Sequence, residues 1–193
     1  MSLPSLVLAS ASPQRRAILE RLGVSFTVRP THVEEIERGE PEEVAVGNAL
    51  LKARAAHATP AGAGESGDIG ETVLGCDTLV ALDGQIYGKP ADEEQARATL
   101  RALSGATHTV LSGVALLFAG REQVALARTQ VEFRHYGEEL IDWYVAGGEW
   151  RGRAGGYAIQ GVGAVLVREI HGDYENVVGL PLATLLDMCP ELL

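Results

Sequence analysis

Lysine is nearly missing from this chain. Of the 16 basic residues among 193, only Lys52 and Lys89 are lysine, and the rest are arginine. Codon bias in a chain rich in Ala, Gly and Arg explains the scarcity. It leaves open whether the two survivors are placed for a reason. One physical reason exists: a compact ammonium with freely rotating donors suits phosphate oxygens in a tight site better than a planar guanidinium does. Positive charge is short overall, with 26 acidic residues, a formal net charge of −10 and a pI near 4.9. That balance argues against a nucleic-acid or anionic-membrane surface, both of which need a basic field. Any anionic ligand must be met locally.

Cysteine is limited to Cys76 and Cys189, too few and too isolated for a disulfide scaffold or a zinc site, so free thiols are expected. Five histidines lie scattered with no pair at metal-ligand spacing, and no nucleophile elbow surrounds Ser10 or Ser112. Zinc and serine-hydrolase chemistry are therefore poor readings. No apolar run reaches the ~18 residues a membrane span needs, and the charged, apolar and cleavage regions of a signal peptide are missing. A soluble, cytoplasmic protein without a membrane partner is expected.

What is present is a globular composition, 46 % hydrophobic and 22 % charged, in a length that points to a single domain over 1–193, or two small lobes around one core. The opening Leu6 to Ser10 reads as a strand and Pro13 to Leu22 as a helix, with Ser12 as N-cap, Pro13 at the first helical position and Gly23 as its stop. Ser25 to Pro30 follows as a strand. A helix from Pro41 to about His57 places Ala45, Ala49, Lys52 and Ala56 along one nearly smooth face, from which Lys52 extends its ammonium. Thr59 to Gly70, rich in Gly, Ala, Pro and Ser, reads as a mobile surface loop. Thr72 to Ala81 is a strand that turns at Asp83-Gly84 into Gln85–Tyr87. Asp92 caps a helix that ends near Leu103, with Gln95 in the capping-box position. Thr107–Phe118 and Gln123–Phe133 are antiparallel neighbours. Helices over Glu138–Ala146 and Pro181–Met188 and a strand over Ala164–Ile170 complete an α/β fold with a mixed, twisted β-sheet flanked by helices.

Three tracts carry candidate chemistry. Ser10-Ala11-Ser12-Pro13-Gln14-Arg15-Arg16 joins a strand to a helix N-terminus, whose free amides, two hydroxyls and Arg15 or Arg16 suit an anion; a plain capped helix with two exposed arginines is the structural alternative. In Gly75-Cys76-Asp77-Thr78-Leu79 a lone acid interrupts an apolar strand. A buried carboxylate is costly unless it is paired or binds a metal. Asp77 could take a proton from water or hold a divalent cation. Gly88-Lys89-Pro90 sets a lysine between two backbone-fixing residues, as a positioned cation or as a hairpin-end surface residue. The glycine-dense tract Gly152 to Gly161 suits a loop hugging a ligand but fits neither the Walker A nor the dinucleotide pattern. Asn176, in the polar tract before Pro181, suits a cap better than a ligand contact.

Together these segments resemble the Maf family of nucleoside triphosphate pyrophosphatases, the septum-formation-inhibitor-like proteins. The resemblance runs in order through Leu8-Ala9-Ser10-Ala11-Ser12-Pro13 with the arginines, Glu34-Glu35, Leu51-Lys52-Ala53, Gly75-Cys76-Asp77-Thr78, Gly88-Lys89-Pro90, Leu103-Ser104-Gly105 with His108, the Gly152 to Gly161 tract and Asn176 to Pro181. It implies a two-lobed fold with a central cleft, similar to that of the inosine-triphosphate pyrophosphatases, and a homodimer as one assembly open to it. It also implies hydrolysis of a nucleoside triphosphate between the α and β phosphorus atoms, with Mg²⁺ or Mn²⁺, as house-cleaning of nucleotide pools. By motif position, Asp77, Lys52 and Lys89 would be catalytic. Ser10, Ser12, Arg15, Arg16, Thr78 and Gln160 would bind substrate, and Glu35 and Asp77 would hold the metal. Gln14 departs from the pattern: the type acting on dTTP and UTP usually has arginine there, and the type acting on 7-methyl-GTP has tryptophan. Thr78 looks like the dTTP/UTP type, which is the reading taken. A 7-methyl-GTP pyrophosphatase and a nucleotide-binding regulator of septum formation are the alternatives.

Overall fold

A computed structural model describes residues 5–58 and 71–193. The loop expected over Thr59 to Gly70 lies outside the described residues. In chain order the elements are β1 (Leu6–Leu8), α1 (Pro13–Arg21), β2 (Phe26–Val28), α2 (Pro41–Ala58), β3 (Thr72–Leu82), β4 (Gln85–Tyr87), α3 (Glu93–Leu103), β5 (Thr107–Phe118), β6 (Arg121–Phe133), α4 (Glu138–Ala146), β7 (Val167–His171), α5 (Tyr174–Val178) and α6 (Leu182–Met188). Among the described residues no helix is long and apolar enough to cross a membrane.

The strands form one mixed sheet in the order β2-β1-β3-β5-β6-β7, with β4 also paired to β3. β1 runs parallel to β2 and β3, and the remaining pairs are antiparallel. The two partners of β3 opposite β5 are both short. β1 pairs residues 72–74 and β4 pairs 80–82, so among the described residues no strand lies beside residues 75–79 on that edge. Asp77 and Thr78 sit in this gap. The gap opens at the carboxyl end of β1, where the chain leaves toward α1 on one side while β3 lies on the other. Open α/β sheets bind their ligands at such a point.

Local signals account for the element ends. The Ser12 hydroxyl accepts from the Arg15 amide, Pro13 opens α1, and Asp92 accepts from the Gln95 amide at the start of α3. The β3–β4 turn needs left-handed backbone at both central residues, and Asp83 (φ 51°) and Gly84 (φ 77°) supply it. One expectation is corrected. Ala164–Ile170 is not a continuous strand, because Val162–Leu166 is a 3-10 turn and β7 starts only at Val167. The amides of Val162 and Gly163 donate to the Glu149 carboxylate at 3.0 and 2.8 Å, which commits them to a tight turn instead of a ladder.

Helix α2 lies on one sheet face through Ala49, Ala53 and Ala56 against Val7, Val73, Ala115 and Leu117. Helices α1 and α6 cover the other face around Leu8, Leu19, Leu74, Leu116 and Leu185. Alanine alone does not bring α2 close enough. Gly75 and Gly113 provide the seat: a Cβ on Gly75 would run into the Ala49 carbonyl and the Ala53 amide, and one on Gly113 into the Ala45 carbonyl. Backbone atoms cannot step aside, so Gly113→Ala should destabilise the fold by about 1–3 kcal/mol, the usual cost of overpacking. It should also lift Lys52 away from Asp77, lowering any activity that needs the pair. Urea unfolding followed by fluorescence measures the first effect. An unchanged midpoint would show that the helix seat is not tight.

Candidate active site

The sheet gap is the floor of a cavity of about 340 Å³. One wall is the loop after β1 with the N-terminus of α1. The opposite wall is the β4 exit at Lys89 together with the Gly152–Gln160 tract, and α2 overhangs the floor. Ser10, Ser12, Gln14, Arg15, Glu35, Lys52, Asp77, Thr78, Lys89 and Gln160 all line it. Arg16 does not. It points outward from α1 and pairs with Glu20 one turn along at 2.7 Å, 62 % exposed. The expectation that Arg16 contacts a ligand is therefore corrected: position 15 faces the sheet, so position 16, about 100° further round the helix, faces solvent.

Strand alternation divides the two central residues between faces. Asp77 points to α2, as Val73 and Gly75 do, and Thr78 points to α1 and α5. The buried Asp77 carboxylate receives Lys52 Nζ on Oδ1 at 2.5 Å and Asn48 Nδ2 on Oδ2 at 3.2 Å. The lone strand acid is thus paired, as its burial requires. Lys52 Nζ also reaches Glu35 Oε1 at 2.8 Å, so the ammonium lies between two carboxylates. Asn48, one helical turn before Lys52, fixes the segment that carries Glu35: its Oδ1 accepts from the Ile36 amide at 2.7 Å and its Nδ2 donates to the Ile36 carbonyl at 3.1 Å. Asn48 escaped the sequence reading, although a lone amide four residues before Lys52 on an alanine face was a usable signal.

On the other face, the buried Arg15 meets no carboxylate among the described residues. Its Nε donates to the Gly179 carbonyl at 2.8 Å, Nη1 to Ser10 Oγ at 3.0 Å and Nη2 to Thr78 Oγ1 at 3.1 Å. Thr78 is in turn 2.8 Å from Ser112 Oγ. These neutral partners hold the guanidinium in place and leave its charge uncompensated. Asn176 neither caps nor faces the cavity, correcting the preference for a cap. It is fully buried, and its Nδ2 donates to the Val110 carbonyl at 3.1 Å and to Thr129 Oγ1 at 3.0 Å, tying α5 to β5 and β6. That anchor sets the position of Gly179 and hence of Arg15. The cap of α5 is Asp173.

Among the described residues the cavity wall carries four cations, Arg15, Lys52, Lys89 and Arg153, against two carboxylates, Glu35 and Asp77. In a chain of net charge −10, this local excess of positive charge selects a polyanion. Thiol chemistry is disfavoured, because burial pushes the Cys76 thiol up. A divalent cation is the cofactor to test against these residues. Among the described residues no group of three or more His, Cys, Asp or Glu side chains is placed to hold one. The carboxylates lining the cavity among those residues are Glu35 and Asp77, both paired with Lys52 Nζ at 2.8 and 2.5 Å, and hard oxygen donors of this kind suit a Mg²⁺ or Mn²⁺ that also takes phosphate oxygens and water.

His108, on β5 behind the cavity, is buried, with Nε2 2.9 Å from the Tyr157 hydroxyl and its ring edge-on to Phe133. Burial lowers its pKa from 6.5 to about 4. Because the unfolded chain takes up this proton near pH 6.5 and the folded one only near 4, stability should be undiminished above pH 6.5 and fall as pH drops toward 4, by up to about 3 kcal/mol from this residue. Urea midpoints for the wild type and His108→Gln at pH 7.5 and 5 read this out. The variant should lose less stability on acidification, and equal losses would remove His108 as the cause.

The family model described as Maf-like protein matches residues 5–192. Curated relatives include a dTTP/UTP pyrophosphatase of Moorella thermoacetica, 49 % identical over 184 residues covering 93 % of this chain and 91 % of the relative. Another, from Thermococcus gammatolerans, is 45 % identical over 177 residues, covering 92 % and 91 %. A third, from Pyrococcus furiosus, is 41 % identical over 189 residues, covering 96 % and 94 %.

Proposed function

The chain belongs to the Maf-like protein family, and from that premise we propose that it hydrolyses the α–β phosphoanhydride of dTTP and UTP, releasing the nucleoside monophosphate and pyrophosphate. The observation that carries this reading is the placement of Asp77: a buried carboxylate in the open edge of β3, paired with Lys52 and facing a cavity with excess positive charge. In this reading water attacks the α phosphorus, the new P–O bond replaces the bond to the bridging oxygen, and Asp77 accepts the water proton. Arg15 and Lys89 meet the charge that builds on the phosphate oxygens and the departing pyrophosphate, while Lys52 holds the Asp77 carboxylate toward the α phosphorus. The hydroxyls of Ser10 and Thr78 act through Arg15, which both accept from. Ser12 orders the loop as the cap of α1, and Gln160 orients a phosphate oxygen or the water. Glu35 and Asp77 would hold Mg²⁺ or Mn²⁺, which when bound neutralises phosphate charge.

The pyrimidine preference rests on the names of the relatives and on Thr78. Gln14, on the cavity wall, accepts from the Ser12 hydroxyl at 3.1 Å, a contact that holds it beside the loop after β1. Two buried free thiols favour the cytoplasm as the working compartment. Relative turnover on dTTP, UTP, ITP and 7-methyl-GTP tests the substrate. Turnover of dTTP and UTP well above the other two supports the proposal, a reversed order moves the protein to the 7-methyl-GTP type, and binding without turnover of any of them favours a regulator.

A further inference from the structure

We propose that Arg153 is a phosphate-binding residue of this cleft, acting beside Lys89 on the polyphosphate end of the substrate. The inference rests on the pyrophosphatase reading and adds a residue to it. Arginine in this chain generally has an acid beside it: nine of the fourteen make an ion pair among the described residues. Among the described residues two arginines line the cavity, Arg15 and Arg153, and neither has a carboxylate partner there. Arg15 is held by neutral oxygens. Among the described residues Arg153 lacks even these, and its buried Nε has no hydrogen-bond partner. A buried N–H without an acceptor is rare and costly in a folded protein, so an orphan on a ligand cavity wall points to an acceptor supplied by the ligand.

The placement is built. The Gly155 amide donates to the Gly88 carbonyl at 3.0 Å, which fastens the Arg153 turn to the residue before Lys89. Gly155 and Gly156 both have positive φ, 66° and 67°, and a Cβ on Gly155 would collide with Val80. Glycine is therefore required for the turn to lie this close to the hairpin. Below Arg153 its own carbonyl accepts from the Gly156 amide at 3.0 Å, which fixes the residue's backbone. The two carboxylates that line the cavity are both engaged by Lys52, so among the described residues Lys89 and Arg153 face the cavity without an acid paired to either. A guanidinium can fork onto two phosphate oxygens, where Lys89 supplies only a point charge.

The test uses the full chain with inorganic pyrophosphate and thymidine as separate probes, by calorimetry and by competition against dTTP turnover. Arg153→Met should weaken pyrophosphate about 10- to 100-fold, the range for hydrogen bonds to a charged group, and raise KM for dTTP in step, while thymidine affinity stays unchanged. Arg153→Lys, which keeps the charge and loses the fork, should fall between Met and wild type. Pyrophosphate affinity unchanged in Arg153→Met overturns the proposal, as does an equal weakening of thymidine, which would mark a general disturbance of the cleft. Because pyrophosphate binding is read without turnover, a wild type that binds it through Arg153 yet hydrolyses no triphosphate would sink the proposed reaction and leave this assignment standing. A wild type that does not bind pyrophosphate ends both.

Discussion

Asp77→Asn is expected to lower kcat on dTTP by about 10²–10⁴-fold, the range for loss of a positioned proton acceptor, while KM stays within a few-fold. The carboxamide has the shape of the carboxylate and can still accept from Lys52, which also retains Glu35 at 2.8 Å. The substrate-binding cations and the floor of the cleft are then undisturbed, the carboxamide oxygen remains a neutral donor for a divalent metal, and the ability to take up the water proton is lost. Such a split between kcat and KM is the signature of a group that acts in the transition state. Steady-state kinetics of the purified variant give the answer, and turnover near that of wild type would remove Asp77 as the base.

Lys52→Met should be the more damaging change to the molecule as a whole. It deletes the ammonium held between Asp77 and Glu35 and leaves a buried carboxylate with Asn48 as its remaining side-chain partner among the described residues. Removing one member of a buried ion pair costs about 3–5 kcal/mol, so the urea midpoint should fall sharply, and turnover should drop by about 10²–10³-fold with the loss of a preorganised charge. The double variant Lys52→Met, Asp77→Asn should recover much of the lost stability and none of the lost turnover, because the two side chains act as one unit. Additive stability losses would mean that the pair is not coupled as its 2.5 Å contact implies.

Much of this arrangement was legible in the sequence, wherever the information is local. Ser12 and Asp92 announced the starts of α1 and α3, Asp83-Gly84 announced the hairpin, and the Ala45–Ala49–Lys52–Ala56 stripe gave the buried face of α2. An acid in an apolar strand and two lysines in an arginine-rich chain flagged Asp77, Lys52 and Lys89, and the three do share one cavity. What remained hidden depends on partners far along the chain. That β1 and β4 occupy the two ends of one β3 edge, leaving residues 75–79 open, is a matter of pairing that no window of sequence contains. The use of Gly75 and Gly113 as a seat for α2 is equally non-local, since the atoms they must admit belong to Ala45, Ala49 and Ala53. Asn176 looked like a cap because it stands in a polar tract before a helix, yet its acceptors are on β5 and β6. The 3-10 turn at Val162–Leu166 was hidden because its apolar residues read as a strand until Glu149 is seen to take two of its amides.

The central claim is that this cleft directs water to the α phosphorus of a nucleoside triphosphate and expels pyrophosphate. Turnover of dTTP in ¹⁸O-labelled water, with the products resolved by ³¹P NMR and mass spectrometry, tests it most directly. The account predicts one labelled oxygen in thymidine monophosphate and none in the released pyrophosphate; label in pyrophosphate, or release of orthophosphate with thymidine diphosphate, would contradict it.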